Sequence, residues 1–161
     1  MLELILVMET RASSNTDYMY IKSTLDYYYR PRTYGIQKIY SESKTELIKQ
    51  DEKIHKAFAL TTRKPVVIIF ADYDRNEIIN KEIIDYCFKN SYELVWMNSD
   101  IEEVYLGKKI KNKDKKRKAI DFQIHKDKLL PKLNNLEEKD PLKKEKTSNI
   151  ICVFDKYLSR K

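Results

Sequence analysis

Six consecutive apolar residues, Val66-Val67-Ile68-Ile69-Phe70-Ala71, give way without transition to Asp72-Tyr73-Asp74. A β-branched run of that length, introduced by Pro65, reads as a strand covered on both faces. Leu4 to Met8 repeats the pattern more briefly and ends at Glu9. Strands buried on both sides need helices above and below them, which directs the reading toward an α/β fold.

The intervening segments supply those helices. Ser13, Ser14 and Asn15 offer caps, after which Tyr18, Ile21, Leu25, Tyr28 and Tyr29 recur at helical spacing until Pro31. Ile36 to Tyr40 reads as a second strand, and Ser43 to Leu60 as one helix. Asn76 can cap a helix whose inner side carries Ile79, Ile83, Ile84 and Cys87. Tyr92 to Met97 is a fourth strand, and Asp100 to Leu106 a short helix stopped by Gly107. Strand and helix alternate, so a parallel four-stranded, Rossmann-like sheet with helices on both faces is expected. Beyond it comes a helical C-terminal extension: Ala119, Ile120, Ile124, Leu129 and Leu133 at helical spacing, a charged loop over 134–146, then an amphipathic helix around Ile150 to Leu158. A chain of 161 residues fits one domain over 1–161, with its core at about 2–106 and the extension at about 107–161.

Apolar runs are too short to cross a bilayer, and Met1 to Met8 carries Glu3 without a basic leader. A soluble, cytoplasmic protein with no membrane partner is the expectation. Cys87 and Cys152 lack metal-ligand spacing and read as two buried free thiols in a reducing compartment. The net charge of +7 favours polyanionic partners such as DNA or RNA. Most of that charge concentrates in Lys108, Lys109, Lys111, Lys113, Lys115, Lys116, Arg117 and Lys118, which could track a phosphate backbone or form a solvated face. Tyr27, Tyr28, Tyr29 and Tyr34, beside Arg30 and Arg32, could stack bases or pack inside.

In open parallel sheets, ligands bind beyond the carboxyl ends of the strands. Glu9 follows the first strand, and Asp72 with Asp74 follows the third. Residues two apart on an extended tail point the same way, so both aspartates are expected to face one site. Three crowded carboxylates repel one another unless a cation joins them, and Mg²⁺ or Mn²⁺ suits such oxygen donors. Turn and capping roles, or ion pairs with Arg11 and Arg75, are the non-functional alternatives for the same residues.

This arrangement resembles the Toprim catalytic domain, which places a glutamate after its first strand and an Asp-x-Asp pair after its third. The resemblance covers about residues 2–106. The segment Trp96-Met97-Asn98-Ser99-Asp100-Ile101-Glu102-Glu103 is further similar to the small OLD and RloB-like Toprim nucleases, where Glu102 or Glu103 would be a fourth acid. Two departures stand out: Thr10 replaces the usual glycine, and the first helix opens on Ser13, Ser14 and Asn15, with Asp17 displaced, where relatives carry a glutamate. The resemblance implies a Mg²⁺-dependent nuclease with Glu9, Asp72 and Asp74 as catalytic and metal-binding residues. Arg11, Arg75, Lys108, Lys109, Lys115, Lys116 and Arg117 would meet nucleic acid. Such nucleases often serve phage-defence or toxin systems beside an ATPase partner subunit. The alternative is a non-catalytic Toprim-like interaction or regulatory module.

Overall fold

In the computed structural model, which describes residues 1–161, strand β1 (Leu2–Glu9) carries six successive buried residues from Glu3 to Met8. It pairs in parallel with β2 (Tyr34–Ser41) on one side and β3 (Lys64–Tyr73) on the other; β4 (Glu93–Asn98) adds to β3. The order is β2-β1-β3-β4, the four-stranded parallel sheet that the apolar runs led us to expect. Register sets Met8 beside Phe70, Glu9 beside Ser41 and Asp72 beside Met97.

Helix α1 (Thr16–Tyr28) connects β1 to β2. A 3₁₀ turn (Lys44–Lys49) and α2 (Asp51–Ala59) connect β2 to β3, and α3 (Glu77–Asn90) connects β3 to β4. The first connection steps one way across the sheet and the next two step back. Right-handed crossovers therefore put α1 on one face and α2 with α3 on the other. Strand alternation feeds both faces: Leu4, Leu6, Met8, Ile68 and Phe70 pack with Tyr20, Ile21 and Leu25 of α1. Ile5, Val7, Ile69 and Ala71 pack with Leu47, Ile54, Ala57 and Ile83. The connections change direction between β1 and β3, so the carboxyl ends of these two strands form the switch point of the sheet, the place where open parallel sheets bind ligands.

The extension belongs to the same core. It follows α4 (Ile101–Leu106) and comprises α5 (Asn112–Ile124), α6 (Lys126–Leu129) and α7 (Ile150–Asp155). Nine of the 24 buried residues on the α1 face lie beyond Gly107, among them Phe122, Ile151 and Phe154. The segment before α7 also closes the open edge of β4. Asn149 accepts from the Trp96 amide at 2.9 Å and donates to the Leu94 carbonyl at 3.0 Å; the Asn98 amide donates to Thr147 at 2.9 Å. Covered in this way, the edge is unavailable for pairing with another chain.

Three local expectations change. The helix expected over 43–60 divides at Gln50 into the 3₁₀ turn and α2, with the buried Lys44 side chain drawn to Asp74 and Asn80. Helix α5 begins at Asn112, inside the basic run rather than after it, and leaves Ile120 and Ile124 exposed. Ile84 is likewise exposed, although Ile83 and Cys87 are buried. Gly107 stops α4 as expected, at φ +76°, where a side chain would be strained. No helix is long and apolar enough to cross a membrane.

Candidate functional site

Both inner strands end in an acid, and alternation aims the two acids differently. On β3, Asp72 continues the face of Ile68 and Phe70, toward α1; Tyr73 continues the opposite face and meets Trp96 edge-on at 5.8 Å. On β1, Glu9 continues the face of Ile5 and Val7, toward the 3₁₀ turn. The two carboxylates thus leave opposite faces of the sheet, and the Glu9 charge raises the carboxyls of Asp72 and Asp17.

Around Asp72 the fold gathers more acids. Asp17 stands in the first turn of α1, Asp100 caps α4 by accepting the Glu103 amide at 2.8 Å, and Glu102 is buried in the first turn of α4. Burial pushes the Asp72 carboxyl well above the usual range, and the charges of Asp17, Glu9, Asp100 and Glu102 add to the rise. Asp17 is pushed to about 8, first by burial and then by Glu102 and Glu9, with Lys115 opposing. Glu102 is raised by burial against the pull of Lys115, whose ammonium stands 3.6 Å away. At the base of this group the buried Tyr20 hydroxyl has no hydrogen-bond partner. Burial and the nearby charges of Glu102 and Asp17 raise its pKa.

Asp74 belongs to a different arrangement. β3 ends at Tyr73, so alternation no longer governs the next residue. The Asp74 carboxylate accepts from the Lys44 ammonium and from the Asn76 amide, each at 2.9 Å. Against the cost of partial burial, these bonds hold its pKa below the ordinary value. Glu9 lies between the two groups: burial raises its carboxyl, Lys44 lowers it and Asp74 raises it again. The expectation that Asp72 and Asp74 face one site together is therefore not what the fold builds. Asp72 joins Asp17 and Glu102, while Asp74 turns to Lys44.

The basic residues also divide. Arg11 lines a cleft of about 660 Å³ beside β2. Arg75 and Lys109 line another of about 530 Å³, between the ends of β3 and β4 and the 142–145 segment. Lys115 pairs with Glu102, Lys116 donates to the Ser14 carbonyl at 2.6 Å, and Arg117 bridges Asp114 one turn away at 3.3 Å. Lys108 is exposed. Of the tyrosines, Tyr29 is fully buried and donates to Asp155, whereas Tyr27, Tyr28 and Tyr34 pack partly buried against the α1-face core.

The oxygen donors of Asp72, Asp17, Glu9 and Glu102 match a hard dication in chemistry, and their mutual repulsion is what such an ion would relieve. As they stand, no three acidic, histidine or cysteine side chains are arranged to hold one ion together. Mg²⁺ commonly takes one or two protein carboxylates and completes its shell with water, so a smaller donor set suffices. Lys44 was missed in the sequence, where it reads as one lysine among many. Compared with protein-family models, with curated proteins and with solved structures, the chain matches none.

Proposed function

We propose that the chain is a divalent-metal-dependent nuclease of Toprim type, hydrolysing phosphodiester bonds at the mouth between β1 and β3. The observation that supports this most is the gathering of Glu9 and Asp72, at neighbouring strand ends, with Asp17 of α1 and Glu102 of α4, where burial and nearby acids raise all four carboxyls. Carboxyls raised together by burial and by one another's charge are candidates for a functional site.

In this reading Asp72 and Asp17 hold Mg²⁺ or Mn²⁺, with Glu102 released from Lys115 to assist. The bound ion would polarise the scissile phosphate and stabilise the leaving oxygen. Glu9, raised toward neutrality by burial, carries a proton to or from the reacting oxygen. Arg11, two residues beyond Glu9, neutralises a flanking phosphate. Work beside an ATPase subunit in phage defence belongs to the same proposal, as does action on DNA or RNA.

One observation favours a second reading. Lys44 and Lys115 already supply positive charge to Asp74 and Glu102. A module whose acids are neutralised by its own lysines would bind a partner and cleave nothing.

Incubating purified protein with plasmid, single-stranded DNA and RNA, in Mg²⁺ or Mn²⁺, separates the two. The nuclease reading expects cleavage that chelation stops and that Asp72→Ala lowers by at least about a hundredfold, the scale of losing a principal charge-stabilising group. Intact substrate in every condition leaves the module.

A further inference from the structure

We propose that the cleft beside β2 is a binding groove for single-stranded nucleic acid, leading to the acidic mouth. The groove is independent of the basic run after Gly107, whose members Lys115, Lys116 and Arg117 already have partners within the chain. It encloses about 660 Å³ and is lined from three directions. The Thr10–Ser13 turn contributes Arg11, the outermost strand β2 contributes Lys38 and Tyr40, and α2 contributes Lys53 and Lys56.

Four cations and a single acid, Glu42, line this volume, a balance that suits a polyanion. All four cationic side chains lie on exposed residues. None is committed to a buried partner. Lys56 pairs at 3.0 Å with Glu52 on its own helix, and both side chains are more than 70% exposed, so a phosphate can replace that contact at little cost. Lys38 stands 4.5 Å above the Tyr18 ring, which leaves its ammonium free to accept an anion.

Between the cations the lining mixes the polar Thr10, Ser13 and Gln37 with apolar side chains. Leu60 is 80% exposed there, beside Ile39, Ala57 and Tyr40. An apolar side chain so exposed in a cationic cleft can pack against a nucleobase. A cationic groove that tracks the backbone, with an aromatic ring on which a base can stack, is the pattern by which single strands are held, and Tyr40 is the ring this groove offers. A duplex hides its bases and would leave that ring unstacked.

The path onward is set by the chain itself, because the turn that supplies Arg11 starts immediately after Glu9. A strand held by α2 and Lys38 is thereby delivered to the mouth between β1 and β3. This delivery rests on the nuclease reading; the binding does not.

The test measures fluorescence anisotropy of a labelled single-stranded 12-mer in EDTA, where cleavage is stopped. Reversing two charges in the groove, Lys53→Glu with Lys56→Glu, is expected to weaken binding at least tenfold. It should also reduce the slope of log affinity against log salt by about 1.4, two phosphate contacts at about 0.7 each for single strands. The control pair Lys128→Glu with Lys132→Glu changes the net charge equally, at exposed positions away from the groove, and is expected to change affinity less than twofold. Circular dichroism establishes that each variant is folded. Equal loss in both pairs, loss only on reversing Lys108 and Lys109, preference for duplex, or binding of a glutamate-rich peptide in place of the oligonucleotide would each overturn the groove. Binding in the groove without cleavage in Mg²⁺ or Mn²⁺ overturns the nuclease reading alone. Weakened binding with cleavage unaffected by the Lys53 and Lys56 reversals overturns the delivery to the mouth alone.

Discussion

The Lys44 ammonium meets the Asp74 carboxylate at 2.9 Å, and this contact separates the second acid of the Asp72-Tyr73-Asp74 sequence from the first. Lys44 is itself buried and also donates to Asn80, so the contact is anchored on the protein side. Asp74 serves the entry to α3 as well, through the Asn76 amide. In the proposed nuclease, the acids left at the mouth are Asp72, with Asp17, Glu9 and Glu102 around it.

Replacing Lys44 by methionine keeps the length of the side chain and removes its charge. Glu9 and Asp74 then lose the cation that lowers both, and their carboxyl pKa values rise. Because the Asp74 pKa is depressed in the folded chain, its contribution to stability is present above the ordinary 3.8 and is lost as pH falls below it. The Asp74 side chain is 54% exposed, which limits the cost at pH 7 to about 1 kcal/mol. Carboxyl NMR titrations and urea melts at pH 7 and pH 3 check both statements.

Asp17→Asn acts in the opposite direction. The folded pKa of Asp17, about 8, exceeds its ordinary 3.8, so the folded chain holds a proton that the unfolded chain releases. Stability therefore falls as pH rises from about 4 to about 8, and the amide removes that fall. At pH 8 the variant is expected to gain at least about 1 kcal/mol, a rise in Tm of roughly 2–4 °C for a chain of this size. The gain shrinks toward pH 4. Thermal melts across that range measure it.

Asn149→Ala removes one side chain that satisfies two backbone groups of β4, the Trp96 amide and the Leu94 carbonyl. Leaving such groups unpaired costs about 1–3 kcal/mol each when water cannot reach them. A loss of about 2 kcal/mol is expected in urea unfolding. The freed edge should also raise the concentration dependence of aggregation on warming, read by light scattering.

Cys87 is buried on the inner face of α3, where burial pushes its thiol up to about 12; Cys152, expected to be buried, is only partly covered and shifts in the same direction. A thiol reagent at pH 8 is expected to modify Cys152 slowly in the native chain. Cys87 should react only after unfolding, since little thiolate forms and access is closed. Two thiols should titrate in denaturant without reductant, because neither cysteine is in a disulfide.

Much of the fold was legible because buried parallel strands are written as continuous apolar runs, and Val66–Ala71 and Leu4–Met8 name the two central strands directly. Helix ends with local chemistry were legible for the same reason. Asn76 accepts the Ile79 amide at 3.3 Å, and Asp100 caps α4 before the Gly107 stop. Asp17 read as displaced from a family position, since its role depends on α1 bringing it to a strand 55 residues later. The division of Asp72 from Asp74 depends on where β3 stops, which periodicity alone does not fix. Lys44 carries no local mark at all; only the packing of the 3₁₀ turn against α3 makes it the neutralising charge of the site.

Titration calorimetry of Mn²⁺ into the wild-type chain and into Asp72→Asn, at pH 7.5 and low salt, reaches the central claim without any nucleic acid. The account predicts saturable binding by the wild type, loss of that heat in the variant, and a Tm that rises with Mn²⁺ only in the wild type. A wild-type chain that takes up no Mn²⁺, with the same Tm in its presence and absence, would contradict it and leave the acids to their lysines.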